Sequence, residues 1–121
     1  MPDKKELKKK YKEMIPEMGV FQVRNTESGK IWIARSPDIR AGINSCRYQL
    51  KHGLFHQNAL LQQDYQRLGE ERFTFEVLDR LEMKKDPGYN PVSDLAELEQ
   101  LWIEKLQPFG EKGYHKQRSP R

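Results

Sequence analysis

Two sets of residues in this chain have types and spacings suited to chemistry on phosphate. Glu99 lies between Leu98 and Leu101 in a stretch with helical periodicity. A carboxylate beside an apolar stripe stands at the margin of a core, facing any cleft the helix borders. There it suits a hard divalent cation, Mg²⁺ or Mn²⁺, which takes oxygen ligands, keeps most of its waters and shares substrate phosphate oxygens. The competing reading is an exposed surface glutamate. Arg40, Asn44, Arg47 and Lys51 recur at steps of four, three and four, which gathers them on one helical stripe. Guanidinium forks match phosphate oxygens bidentately. Together with Arg35 this stripe is the candidate nucleic-acid contact, and a merely solvated helix face is its alternative.

Other chemistries find less support. His52, His56 and His115 do not form a metal pair on one helix, because Gly53 interrupts the first two. There is no Walker loop, no Gly-x-Gly-x-x-Gly and no Gly-x-Ser-x-Gly elbow. The lone Cys46 allows neither an internal disulfide nor a thiolate zinc cage. On an apolar stripe it reads as a buried thiol rather than a nucleophile.

The elements that must position these residues follow from pattern. Gly19 to Val23 and Ile31 to Ala34 are short β-branched and aromatic runs around a turn-rich tract, Asn25 to Lys30, and predict a hairpin. Ile39, Ile43, Cys46 and Leu50 make one face of a helix capped by Asp38, or by Ser36 ahead of Pro37, and closed by Gly53. A second helix is expected from about Gln57 to Leu68, ended by Gly69. Phe73, Phe75 and Val77 alternate with polar neighbours as an edge or half-buried strand. Leu81 to Val92 reads as a loop. A third helix is expected to start at Ser93-Asp94 with Glu97 completing a capping box, to bury Leu95, Leu98, Leu101, Trp102 and Leu106, and to stop at Pro108. Asp3 to Met14 is a further helix candidate. The sum is a small α/β (α+β) sandwich: a three-stranded, mainly antiparallel sheet flanked by helices.

The 121 residues suit one core, with a basic helix or arm over 1–18, the domain over 19–115, and a flexible basic tail over 116–121. The net charge of +4 is unevenly spread. Residues 19–55 carry six bases and two acids, whereas 56–110 carry six bases and eleven acids. A basic opening unit suits a phosphate partner, and charged, solubilising ends are the plainer explanation of the rest. No run approaches the roughly 20 apolar residues of a membrane span. No apolar signal segment follows the Lys-rich start, so a cytoplasmic protein is expected.

Taken in order, the motifs resemble those of the GIY-YIG nuclease family. Gly19-Val20-Phe21, followed after eleven positions by Trp32-Ile33-Ala34, is similar to the paired signature. Leu61, Asp64, Tyr65, Gly69 and Phe73 resemble the middle segment. Leu98 to Ile103, Pro108 and Gly113-Tyr114-His115 resemble the closing helix and tail. The resemblance spans Gly19 to His115. It implies a small α/β domain that cuts phosphodiester bonds, usually in DNA, with one divalent metal. Its expected metal ligand is Glu99. The water-activating tyrosine falls on Phe21 and the second tyrosine on Trp32. Counted without a gap, the assisting arginine falls on Gly42 and the histidine on Cys46. Arg40 and Arg47 are the displaced substitutes, about 200° and 140° round the helix from Gly42. The tail position that is usually asparagine is His115.

Phe21 has no hydroxyl, and Trp32 offers only an indole N–H. Loss of a general base costs about 10²–10⁴-fold, and loss of the arginine removes transition-state charge stabilisation as well. A similarly altered first helix marks a variant branch of the family, found alone or with helix-turn-helix regulators. Three functions are therefore open. One is a metal-dependent endonuclease with a rebuilt site of Phe21, Trp32, Arg40, Arg47 and Glu99. Another is an inactive nucleic-acid-binding domain using Arg35, Arg40, Asn44, Arg47 and Lys51. The third is a protein-interaction domain with Trp32 as an exposed anchor. Specificity is expected from a protein partner or an additional domain.

Overall fold

The computed structural model describes residues 16–82 and 88–116. The helix expected over Asp3 to Met14, the loop residues Lys84 to Pro87 and the basic end from Gln117 to Arg121 lie outside the described residues. The elements are β1 (Met18–Asn25), β2 (Ile31–Ser36), α1 (Ile39–Lys51), α2 (Ala59–Leu68), β3 (Phe73–Leu81) and α3 (Pro91–Leu106), with single 3₁₀ turns at Glu70–Arg72 and Gly110–Lys112. The sheet order is β2-β1-β3, and both pairings are antiparallel. This is the small α/β architecture expected from the element pattern, with β3 on an edge as its mixed outer face implies.

Local chemistry sets each boundary. Between β1 and β2, the Asn25 side-chain oxygen accepts from the N–H groups of Glu27 and Ser28 at 2.9 and 3.2 Å, folding the turn back on itself. The Asp38 carboxylate caps α1 by accepting from the Ala41 N–H at 3.1 Å. The helix ends at the His52 C-cap, and Gly53 follows with φ of 71°. Asn58 caps α2 through the Leu61 N–H, so that helix begins at Ala59 rather than Gln57.

Helix α3 starts earlier than expected. Asn90 is the N-cap, accepting from the Val92 N–H at 3.0 Å, and Pro91 is the first helical residue. Proline there has no N–H to waste and a φ already set for helix, so Asn-Pro overrides the Asp94 to Glu97 capping pattern.

Alternation along the strands divides the core. Phe21 and Val23 of β1, with Trp32 of β2, face α1 and α2 and form one cluster with Ile39, Cys46, Leu50, Phe55, Leu61, Tyr65 and Phe73. Val20, Gln22 and Ile33 point to the opposite face, which α3 covers with buried Leu95. Leu101, expected in the α3 stripe, is 60 % exposed, because the helix turns Leu95, Glu99 and Trp102 toward the sheet instead. Gly19 has no room for a side chain: a Cβ there would overlap the Asp79 carbonyl and the Ile39 side chain. The first glycine of the opening triplet is thus a packing requirement of the β1–β3 pair.

The tail after α3 returns to the sheet. Tyr114 is buried, and its hydroxyl donates to Asp64 Oδ2 at 2.9 Å while accepting from Asn25 Nδ2 at 3.0 Å. This strap ties the tail to α2 and to the β1–β2 turn. Among the described residues no helix is long and apolar enough to cross a membrane.

Candidate nucleic-acid interface

Strand β2 is an edge strand, and its outward backbone groups need partners. Three residues from elsewhere in the chain supply them. The Tyr114 N–H donates to the Ile31 carbonyl at 3.0 Å. The Ile33 N–H donates to His115 Nε2 at 2.8 Å. The Arg35 N–H donates to Glu99 Oε2 at 2.9 Å, and Arg35 Nη1 donates to Glu99 Oε1 at 3.1 Å. The outer edge of β2 is therefore lined by Glu99, His115 and Arg35.

On the α1 side of this edge lies a cleft of about 170 Å³ walled by Phe21, Trp32, Ala34, Gly42, Cys46 and Phe55, with Arg35, Ser36, Ser45, Gln49 and Gln57 around them. A wider hollow of about 670 Å³ lies beside it, between the start of α2 and the tail, bordered by Leu60, Tyr114, His115 and Lys116. The two concavities share Trp32 and Gln57, so they meet along β2. Trp32 is not the exposed anchor considered above. It is 8 % exposed, edge-on to Phe55 at 5.0 Å and stacked with His115 at 6.4 Å.

The sequence-derived candidates separate into two groups. Phe21, Trp32 and Arg35 line the cleft, whereas the Arg35 side chain alternates onto the α3 face with Ile33 and pairs there with Glu99. Arg40, Asn44, Arg47 and Lys51 are exposed on the other side of α1 and do not line the cleft. Arg47 lies over the Phe75 ring, 4.7 Å from its centroid. The reason is rotational: the cleft-facing positions of α1 are Gly42, Ser45, Cys46 and Gln49, and the basic stripe falls on the opposite side of the helix.

Gly42 cannot be replaced in kind by an arginine. A Cβ there would come 2.7 Å from Ser36 Oγ and 3.3 Å from Phe21 Cε1. Ser36 Oγ is itself held, donating to the Asp38 carbonyl at 2.6 Å and accepting from the Asp38 N–H at 3.1 Å. Helix α1 thus packs directly on the strand at this point.

Burial pushes the Cys46 thiol up to about 12, against a smaller opposing pull from Arg47. Burial pushes the His115 imidazole below its ordinary value, against the nearby Glu99 carboxylate. Its Nε2 lone pair accepts from the Ile33 N–H, so that nitrogen is unprotonated and occupied.

Metal fit follows from the donor set. Among the described residues no three His, Cys, Asp or Glu side chains gather to hold an ion. Both Glu99 oxygens already accept hydrogen bonds from Arg35, and a guanidinium fills the space beside them. Arranged in this way, the residues do not fit Mg²⁺ or Mn²⁺.

Sequence reasoning missed the polar lining of Ser36, Ser45, Gln49 and Gln57 and the role of His115. The Ser45–Gln49 pair, hydrogen-bonded at 3.1 Å, shares a helical face with Gly42 and Cys46, and that spacing was the available signal.

No protein-family profile matches the chain, and no curated protein does. Solved structures do. A mutant form of the catalytic domain of the intron endonuclease I-TevI superposes with a TM-score of 0.65 at 21 % identity, covering 82 % of this chain and 92 % of that one. A second structure, of the catalytic domain of the homing endonuclease I-TevI, gives 0.64 at 23 % identity, covering 80 % and 95 %. At this identity the likeness is one of fold: the chain has the small mixed α/β topology of a GIY-YIG-type nuclease catalytic domain.

Proposed function

We propose that residues 19–115 are a distant GIY-YIG-type domain that binds nucleic acid, DNA, along the outer edge of β2, and that it does not cut by the usual hydroxyl-activated route. The observation that carries this is the composition of the cleft. Phe21, Trp32, Gly42 and Cys46 stand where the family resemblance calls for two tyrosines, an arginine and a histidine. None of the four can take a proton from water: two are aromatic rings without a hydroxyl, one has no side chain, and one is a thiol pushed up to about 12. What remains suits holding a phosphodiester. Arg35 stands at the cleft, Lys116 at the adjoining hollow, and the stripe of Arg40, Asn44, Arg47 and Lys51 carries a neighbouring stretch of backbone. Specificity is assigned to a protein partner or a further domain. A reducing, cytoplasmic setting suits the single unpaired Cys46.

The test is binding and cleavage of labelled single-stranded, duplex and branched DNA, with Mg²⁺ or Mn²⁺ present, for the wild type and Glu99→Ala. Salt-sensitive binding without cleavage is the expected result. A second reading, a rebuilt metal-dependent endonuclease, is favoured by the retention of Glu99 at the outer edge of β2. Metal-dependent cleavage by the wild type that disappears in Glu99→Ala would establish that reading and overturn the first.

A further inference from the structure

We propose that the resident cation of this site is Arg35 rather than a divalent ion, and that Glu99 is the residue that positions it for a phosphate oxygen. The proposal rests on the nucleic-acid reading above and deepens it. Glu99 grips Arg35 at two points, the backbone N–H at 2.9 Å and Nη1 at 3.1 Å. The first contact fixes the strand edge, and the second fixes the direction of the guanidinium. Arginine carries five N–H donors, and Glu99 takes one of them. Arg35 is also the residue shared by the cleft wall and the ion pair, and its side chain is 46 % exposed. The remaining donors are thus within reach of solvent at the β2 edge beside α3, in the planar fork that matches a phosphate.

The neighbours strengthen the assignment. His115 is the next group on this edge, and its Nε2 is spent on the Ile33 N–H. A divalent ion would find one carboxylate, with both oxygens engaged, and would have to displace a guanidinium to use it. A fixed cation needs no such rearrangement, so the site takes a phosphodiester in a metal-free solution.

The metal-binding and anion-binding outcomes separate cleanly. Mn²⁺ titration of the full chain, followed by the electron paramagnetic resonance signal of free Mn²⁺, is expected to give no stoichiometric site in the wild type. One bound Mn²⁺ per chain that is lost in Glu99→Ala would overturn the proposal. The second arm measures a fluorescein-labelled twelve-nucleotide oligothymidylate in EDTA by anisotropy. Affinity should be no weaker than in Mg²⁺, which competes only as a counterion, and Arg35→Ala should weaken it about tenfold. Glu99→Ala should weaken it several-fold as well. Simple charge removal predicts the opposite sign, because deleting a carboxylate beside an anion site favours the anion. Tighter binding by Glu99→Ala would therefore sink the positioning role. Glu99→Gln keeps one acceptor oxygen and should fall between the two, which guards against a folding defect in the alanine variant.

If the wild type binds no oligonucleotide, the nucleic-acid reading fails and Arg35 is judged by inorganic phosphate alone. Its Nε–Hε nuclear magnetic resonance signal should move with phosphate in the wild type and not in Glu99→Ala. A signal that phosphate leaves unmoved in the wild type would overturn the proposal.

Discussion

His115 is where a single side chain makes the fold sensitive to pH. The imidazole is pushed below its ordinary value by burial, and its Nε2 accepts the Ile33 N–H. The folded state therefore binds its proton less readily than the unfolded state does. Stability contributed by the neutral ring is fully present above the unfolded value near 6.5 and is lost as pH falls through the depressed folded value. Urea midpoints should fall between pH 7.5 and 5.5 in the wild type by more than in His115→Gln; equal slopes in the two proteins would refute the assignment. Gly42 is the second informative residue. Alanine would gain about 1 kcal/mol of helix propensity but would force its Cβ against Ser36, whose hydroxyl is held in two hydrogen bonds. Overpacking of this kind costs about 1–3 kcal/mol, so Gly42→Ala should be destabilising by about 1 kcal/mol net. Adding Ser36→Gly should recover the loss of packing space, measured by equilibrium denaturation of the double variant.

At the scale of elements, Asn58 joins two of them with one side chain. Its Oδ1 caps α2 at the Leu61 N–H, and its Nδ2 donates to the Tyr114 carbonyl at 2.7 Å. Asn58→Ala removes both bonds and should cost about 1–3 kcal/mol. Asn58→Asp retains the cap and places a carboxylate oxygen opposite a carbonyl, so amide exchange should reveal a loosened tail with α2 still protected. If both variants leave the tail equally protected, the strap does not depend on Asn58. Loss of the strap would also uncover the edge of β2, because Tyr114 and His115 supply two of its three outer partners.

For the whole molecule, the basic residues of the opening unit should act together on nucleic acid. Arg40, Arg47 and Lys51 are exposed on α1, while Arg35 stands at the β2 edge. Each phosphate contact contributes a slope of roughly −0.7 to −0.9 in log affinity against log salt. The double variant Arg40→Ala/Arg47→Ala should therefore flatten the salt dependence by up to about two such contacts while leaving the fold unchanged by circular dichroism. An unchanged slope would remove the α1 stripe from the interface.

Much of the fold was legible in the chain because its signals are local. The hairpin, the Asp38 cap, the glycine at the end of α1 and the alternation of Phe73 and Phe75 each depend on a few neighbouring residues. The ordered motifs from Gly19 to His115 extended that reading to the whole topology, and the superposed nuclease domains share it. Where two local signals competed, as Asn90-Pro91 did with Asp94 and Glu97, the sequence left the start of α3 ambiguous and backbone geometry chose.

The site was less legible, for a physical reason. Residue type and spacing identified Glu99 and grouped Arg40 with Arg47, and the family resemblance pointed to Phe21 and Trp32. Whether those groups meet depends on how α1 is rotated against the sheet and on what the outer edge of β2 needs. Close packing at Gly42 fixes the first, turning Ser45 and Gln49 to the cleft and the arginines away from it. Unpaired N–H groups at Ile33 and Arg35 fix the second, drawing in His115 and Glu99 from the far end of the chain. The sequence by itself determined which elements form and which side chains carry charge; only the tertiary structure decided that the carboxylate of Glu99 is joined to a guanidinium, because that contact spans 64 residues of chain.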